Sequence, residues 1–374
     1  MGMRRSLLWI SMVTPTLVSG DLFPGSPGGP ELLTPGSATW QSTTTPLGER
    51  TVYTLTGDTV LSWGSLRVGA GDELIFEGSS GVVNLLSAGG THRIDGSVSA
   101  EGAIGFFADG GSLQVDGLVE GASVTLSALK LESAGDYFSG GAYALDGGAG
   151  GSRRLTVDGQ VRATGGDVVM AGEIVRIRGG ATIDASQAVR VGGGSRVDVA
   201  DSGQKRLSSM GTGLVLHLGT SRAATLELVG VQQVANAGRL ETPGASGKIF
   251  LEVGPGGTVL NEGTGVIQGI LQVTGDFDND GVILGGDDGD QIGVVNSSLS
   301  RLPEVRRPDG SVASKARELS VEAPMTASAD SGRDRAKRRT VASRQKPKLL
   351  TRQSFFGMRG GSTAQPSRDK KRER

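Results

Sequence analysis

No cysteine occurs anywhere in the 374 residues, which excludes disulfides, thiol nucleophiles, thiolate zinc sites and a cysteine-linked lipid. Aromatic residues make up only 4% of the chain, too little bulk for a thick globular core. Long apolar runs are missing as well: no stretch after the first twenty residues approaches eighteen apolar positions, so no helix of membrane-spanning length is expected. Uninterrupted helical periodicity is also absent, because glycine breaks every apolar run before a period of 3.6 can accumulate. What the chain has in abundance is glycine, 63 residues of it, placed at the ends of short β-branched stretches.

Those glycines keep time. The phrases Arg93-Ile94-Asp95-Gly96, Gln114-Val115-Asp116-Gly117, Thr156-Val157-Asp158-Gly159 and Arg178-Gly179-Gly180 set corners at Gly96, Gly117, Gly159 and Gly180, with steps of 21, 42 and 21. A period near twenty, carried by short alternating strands, marks a solenoid. The 42-residue step reads as two turns with one corner blurred near Phe138-Ser139-Gly140. The fold class expected is all-β, a single-stranded right-handed parallel β-helix with a disordered basic C-terminal tail. About twelve coils fit between Thr51 and Val295, at ~4.8 Å each. A second corner variant begins with asparagine (Asn236-Ala237-Gly238, Asn261-Glu262-Gly263, Asn279-Asp280-Gly281), where positive φ is expected.

Four regions follow. Residues 1–20 carry Arg4 and Arg5 ahead of the apolar run Leu7–Val13 and the small residues Val18-Ser19-Gly20, the pattern of a secretory signal cleaved before Asp21. Residues 21–50 are an irregular lead-in rich in Pro, Gly, Ser and Thr, ending in an N-terminal cap around Trp40. The β-helix itself is assigned to 51–297, and 298–374 to a disordered tail. Arg301 to Arg374 holds 20 basic and 8 acidic residues against 18 and 31 in the other 300. The chain is therefore an acidic body, at −13, with a tail at +12.

The order of phrases from Val83-Asn84-Leu85-Leu86 through Ile94-Asp95-Gly96 to Phe106-Phe107-Ala108-Asp109-Gly110-Gly111 resembles the amino-terminal secretion domain of the filamentous haemagglutinin family. Asp136–Tyr143 and Gly165–Gly172 are similar to family phrases in family order, and the likeness is best over 51–200. The resemblance implies a secreted exoprotein with an adhesive or structural role, exported by a partner outer-membrane transporter of the two-partner secretion type. It places secretion-motif positions at Asn84, Asp109, Gly110 and Gly111. Two departures stand out: Leu85 replaces the family's arginine, and Ala108-Asp109-Gly110-Gly111 replaces an Asn-Pro-Asn-Gly turn.

Asp276, Asp278, Asp280 and Asp287, with Gly281 at the sixth position, have the spacing of a calcium-binding loop; an acidic, solvated corner is the competing reading. Beyond that calcium ion no cofactor is indicated. Asp95, Asp116 and Asp158 stack by the period and suggest a carbohydrate-active β-helix enzyme as an alternative function, although Asp before Gly is ordinary corner chemistry. His92 and His217 are expected at the surface or a strand edge. Gly244–Lys248 lacks phosphate-loop spacing. The tail, with Lys337-Arg338-Arg339 and the apolar Phe355-Phe356, suits an anionic surface polymer or glycan, or a cell-envelope scaffold held by charge, with no specific nucleic acid.

Overall fold

The computed structural model describes residues 22, 29–147, 153–201, 203, 206–244 and 246–284, together with the strands at 292–295, 304–306, 312–315 and 317–318. The signal-like segment, Asp287 and the tail beyond residue 318 lie outside the described residues.

Each turn of the chain lays one strand on each of three faces, and successive turns pair in parallel. The first face runs from Thr59–Trp63 through Val82–Leu86, Ala103–Ala108, Ser123–Ser127, Val168–Gly172, Ala188–Gly193, Thr225–Gly230, Lys248–Val253 and Ile270–Thr274 to Ile292–Val295. The second face ends in Arg154–Val157, Ile174–Ile177, Leu214–His217, Gln233–Asn236, Thr258–Asn261 and Asp276–Asn279. The third begins at Glu49–Leu55 and reaches Val282–Leu284. This is a parallel β-helix. Its first face counts ten coils rather than the twelve expected from length, because two coils are longer than the period.

The 42-residue step is one coil. Leu113 pairs directly with Leu155, and Val119 with Val161, so no turn intervenes between Gly117 and Gly159. The surplus residues leave the cylinder as Lys130–Leu131, a helix α1 at Ala134–Phe138 and the strand Tyr143–Asp146. A later excursion adds Arg196–Val199 and Leu207–Met210, and these four strands form an antiparallel sheet outside the helix. Ser133 starts α1 by accepting the Asp136 N–H at 3.2 Å.

The interior is a single column of side chains from alternate positions: Leu61, Leu74, Val98, Ile104, Phe106, Leu113, Val119, Leu126, Val161, Met170, Ile183 and Leu228 among them. Alternation along each strand sends these inward. On the first face the odd positions are apolar too. Val83, Phe107, Val169, Ala171 and Val229 point outward and meet Leu131, Tyr137, Leu145, Val197 and Leu207 of the extra-helical excursions in a second core. Phe107 and Tyr137 meet edge to face with centroids 5.3 Å apart.

At the N-terminal end Ala38–Thr44 folds back antiparallel on Glu49–Leu55, and Glu31–Leu32 pairs antiparallel with the first strand of the first face. Leu22 is buried at the mouth of the column, its carbonyl accepting from the Tyr53 hydroxyl at 2.7 Å. Antiparallel strands end the parallel ladder there. At the other end Glu304–Arg306 and Val312–Lys315 form an antiparallel pair, and Arg317–Glu318 joins the first face. Paired backbone thus extends past the boundary expected at residue 297, since pairing requires no apolar alternation.

The corner glycines serve proximity and not positive φ. None of Gly96, Gly117, Gly159 or Gly180 has a left-handed backbone. A Cβ on Gly117 would lie 1.8 Å from the Gly96 carbonyl oxygen, and one on Gly159 1.9 Å from that of Gly117. Backbone hydrogen bonds run up this column, from Leu118 N–H to Gly96 O and from Gln160 N–H to Gly117 O. Gly180 is not in it. Two extra residues widen that corner, and Ala181 takes the stacking place, its carbonyl accepting from Thr220 N–H.

Candidate functional site

The secretion-motif positions sit inside the fold. Asn84 alternates with Val82 and Leu86 and so faces the column, fully buried. Its Oδ1 accepts from Trp63 Nε1 at 3.0 Å, and its Nδ2 donates to the Gly105 carbonyl at 3.1 Å. The side chain holds the first coils together and is not offered to a partner. Asp109, Gly110 and Gly111 form the turn from the first face to the second. Gly110 adopts φ +70° and a Cβ on Gly111 would lie 2.7 Å from the Gly90 carbonyl. This turn stacks on the previous coil through Asp109 N–H to Leu86 O.

Asp276 and Asp278 lie on a strand with the buried Phe277 between them, and Asp280 follows. An extended strand spaces alternate carboxylates along its outer side, where a calcium loop would curl them onto one centre. Among the described residues no three His, Cys, Asp or Glu side chains gather in a way that could hold a metal ion.

Asp95 and Asp116 are neighbours in successive coils and share one counter-ion. Arg93 Nη2 lies 3.1 Å from Asp95 and 3.0 Å from Asp116, and Gln114 Nε2 donates to Asp116 at 2.7 Å. Asp158 pairs with Arg178 at 3.4 Å.

Both histidines are buried, contrary to the expected surface placement, because each occupies an inward position of the second face. His92 accepts from Leu66 N–H through Nδ1 at 3.2 Å and donates from Nε2 to the Ser87 carbonyl at 3.1 Å. Burial lowers its pKa. His217 begins a polar ladder. Above it the same inward position is Ile94, Val115, Val157 and Ile177; from His217 on it is Asn236, Asn261 and Asn279. Asn236 Nδ2 donates to Asn261 Oδ1 and Asn261 Nδ2 to Asn279 Oδ1, each at 2.7 Å. These asparagines are strand residues, with the amides of Asn236 and Asn261 buried and that of Asn279 part-buried, and no asparagine among the described residues has positive φ. Burial pulls the His217 pKa down to about 4, against the opposing hydrogen bond that His217 donates to Asn236.

Under the extra-helical sheet lies a charged cluster that alternation alone could not reveal. Arg190 and Glu227 point outward from adjacent strands of the first face and are buried. Arg190 lies 3.4 Å from Asp167 and 3.6 Å from Glu227, while Arg206 reaches Asp167 at 3.1 Å. Both Glu227 oxygens accept backbone N–H groups, from Arg206 at 2.9 Å and Leu207 at 3.0 Å. Glu227 thereby fastens the start of the strand Leu207–Met210 to the cylinder. Burial lowers the Arg190 pKa while Asp167 and Glu227 raise it, and burial pushes the nearby Tyr143 hydroxyl up to about 12. A groove of about 620 Å³ opens beside this sheet, lined by Glu132, Tyr143, Arg196, Asp198, Arg206 and Ser208 among others. Its arginines are already committed: Arg196 pairs with Glu132, Asp146 and Asp198. The excursions did leave a trace in the sequence, the doubled step and the unbroken apolar runs Phe106-Phe107-Ala108 and Val168-Val169-Met170-Ala171, which read as strands covered on both sides.

No family model matches the sequence, and no curated protein matches it. Among solved structures, the secretion domain of HMW1 from Haemophilus influenzae is similar over 74% of this chain and 77% of its own length, with a TM-score of 0.52 and 14% identity. At that identity the likeness is one of fold. The fold the two share is the parallel β-helix. Among the described residues no helix is long and apolar enough to cross a membrane.

Proposed function

We propose that the chain is a secreted β-helical exoprotein of the two-partner secretion kind, delivered to the outside of a double-membraned bacterium by a partner outer-membrane transporter, with an adhesive or structural role and no catalytic activity. The observation that supports this reading best is the extent of the shared architecture with the HMW1 secretion domain, which spans about three quarters of both chains. The mechanism follows from the fold. A parallel helix forms almost entirely from contacts distant in sequence, so it folds slowly and suits a chain that crosses a membrane unfolded and winds coil upon coil outside.

In this reading the transporter meets Asn84 and the turn at Asp109-Gly110-Gly111 on the unfolded chain, which the burial of Asn84 in the folded coil supports. The carboxylates of Asp95, Asp116 and Asp158 act as corner ion pairs in this reading. Expression of the full chain with its transporter should give protease-accessible protein at the cell surface, and removal of residues 51–200 should leave the remainder in the periplasm. Unchanged surface labelling of the deletion would contradict the proposal, as would new reducing or unsaturated ends after incubation of the purified chain with anionic polysaccharides.

A further inference from the structure

The outer side of the second face changes character along the rod. Over its last six strands the outward positions, the first and third of each strand, are Arg154 and Thr156, then Ile174 and Arg176, Leu214 and Leu216, Gln233 and Ala235, Thr258 and Leu260, and last Asp276 and Asp278. Along these six strands the arginines come first, Leu214, Leu216 and Leu260 lie in the middle together with the polar Gln233 and Thr258, and the aspartates come last. Ile174, Leu214, Leu216 and Leu260 belong to neither hydrophobic core, and Leu218 beside them is 47% exposed. No ion pair links Arg176 or Asp278 to any described residue, although other outward arginines such as Arg93, Arg162 and Arg222 have carboxylate partners within their own or a neighbouring coil.

From this distribution we infer that the second face is self-complementary and docks a second copy of this chain, with the two rods antiparallel. Two flat sheets can meet face to face about a two-fold axis lying in their common plane, ~10 Å apart. If the axis runs along the rods, each coil meets its own counterpart, so Arg176 faces Arg176 and Asp278 faces Asp278. If it runs along the strands, the coil order reverses while the position within each strand is kept. With the axis at the strand Gln233–Asn236, Arg176 then faces Asp278 of the other copy twice over, Leu216 faces Leu260, Leu214 faces Thr258 and Ile174 lies against Asp276, while the small, buried Ala235 lies at the axis. Charge selects the second arrangement.

The contact takes in five strands of four residues, a footprint of about 300 Å² per copy. That is below the standard size of a stable interface, so a pair in solution should be weak. Rods crowded on a surface meet at a far higher effective concentration, and antiparallel pairing is the arrangement that rods projecting from two facing surfaces would adopt.

Sedimentation equilibrium of the full chain over a concentration series reaching roughly 100 μM and above, at low salt, should show monomer and dimer. Arg176→Asp and Asp278→Arg should each weaken the dimer about tenfold or more, and the double exchange should restore it. Leu216→Lys should abolish it with unchanged thermal unfolding, since the position is outside both cores. A wild-type chain that stays monomeric throughout, or a dimer indifferent to both charge reversals, overturns the inference. So does a monomer in which a cross-linker at residue 216 captures this chain's own tail, which would make the occupant intramolecular.

Discussion

Nδ1 of His217 donates to Oδ1 of Asn236 across 2.8 Å, joining two successive coils through their interior. The direction follows from the rest of the ladder, because the Asn236 amide is already spent as a donor to Asn261. Nε2 of His217 is then left to accept from the Ser221 hydroxyl at 2.9 Å. The ring is held neutral in one tautomer, with both nitrogens satisfied inside the buried column.

Replacing Asn236 by Ala should therefore cost about 2–6 kcal/mol, since it orphans the His217 N–H and the Asn261 side-chain carbonyl oxygen together, at ~1–3 kcal/mol for each buried unpaired group. Urea unfolding of the full chain measures it. Asn279→Ala, at the last rung described and only part-buried, should cost less than half as much.

The neutral imidazole also sets a pH dependence. The folded pKa of His217, about 4, lies below the ordinary value of 6.5, so the unfolded chain binds the proton more readily. The contribution of this site is complete above pH 6.5 and is lost progressively as pH falls toward 4, amounting to about 3 kcal/mol at the low end. Urea midpoints taken from pH 7.5 to pH 4 should fall over that window in the wild type, and the fall should be shallower in His217→Gln. Equal slopes in the two proteins would show that the histidine is not the source. His92, also lowered by burial, contributes in the same sense and leaves a residual slope.

Glu227→Ala should destabilise the chain by about 3–5 kcal/mol, because it leaves Arg190 buried beside a single shared carboxylate and frees two backbone N–H groups. The extra-helical strand Leu207–Met210 should be released first, seen as new proteolytic cleavage around residues 200–207. A paired Arg190→Met, Glu227→Leu variant should recover part of the loss in unfolding free energy, since it removes both charges from the same buried layer.

Two glycines with the same sequence signature should behave differently. Gly117→Ala has no room, with a carbonyl oxygen of the neighbouring coil 1.8 Å from the new carbon, and should lower stability by about 3 kcal/mol or more through forced displacement of the coil. Gly180→Ala would meet Asp158 Oδ1 at 3.0 Å, the end of a side chain that can rotate away. Thermal unfolding of the two variants side by side should show a large drop for the first and a small change for the second.

The parallel β-helix was legible because its cause is local and repeated. Alternating β-branched residues send one set of side chains inward, and a coil of fixed length returns the corner to the same place, so Gly96, Gly117 and Gly159 mark the winding without knowledge of any contact. The period misled where a coil left the cylinder: the step from Gly117 to Gly159 looks like two turns, and only the pairing of Leu113 with Leu155 shows that it is one. Asparagine at 236, 261 and 279 was visible as a repeated residue, but whether its amide turned outward at a corner or inward as a rung depends on the side of the strand that faces the column.

Sequence by itself determined the winding: which residues turn in, where the chain bends, and that the body is acidic, since these follow from alternation, glycine spacing and charge count. Tertiary structure alone decided what sits against what. Residues far apart in the chain, such as Arg196 with Glu132 and Arg206 with Asp167, meet because stacked coils bring distant segments within a few ångströms of each other. The second core, the buried charges beneath it and the polarity of the second face all arise from that stacking, and no one-dimensional pattern carries the third coordinate that creates them.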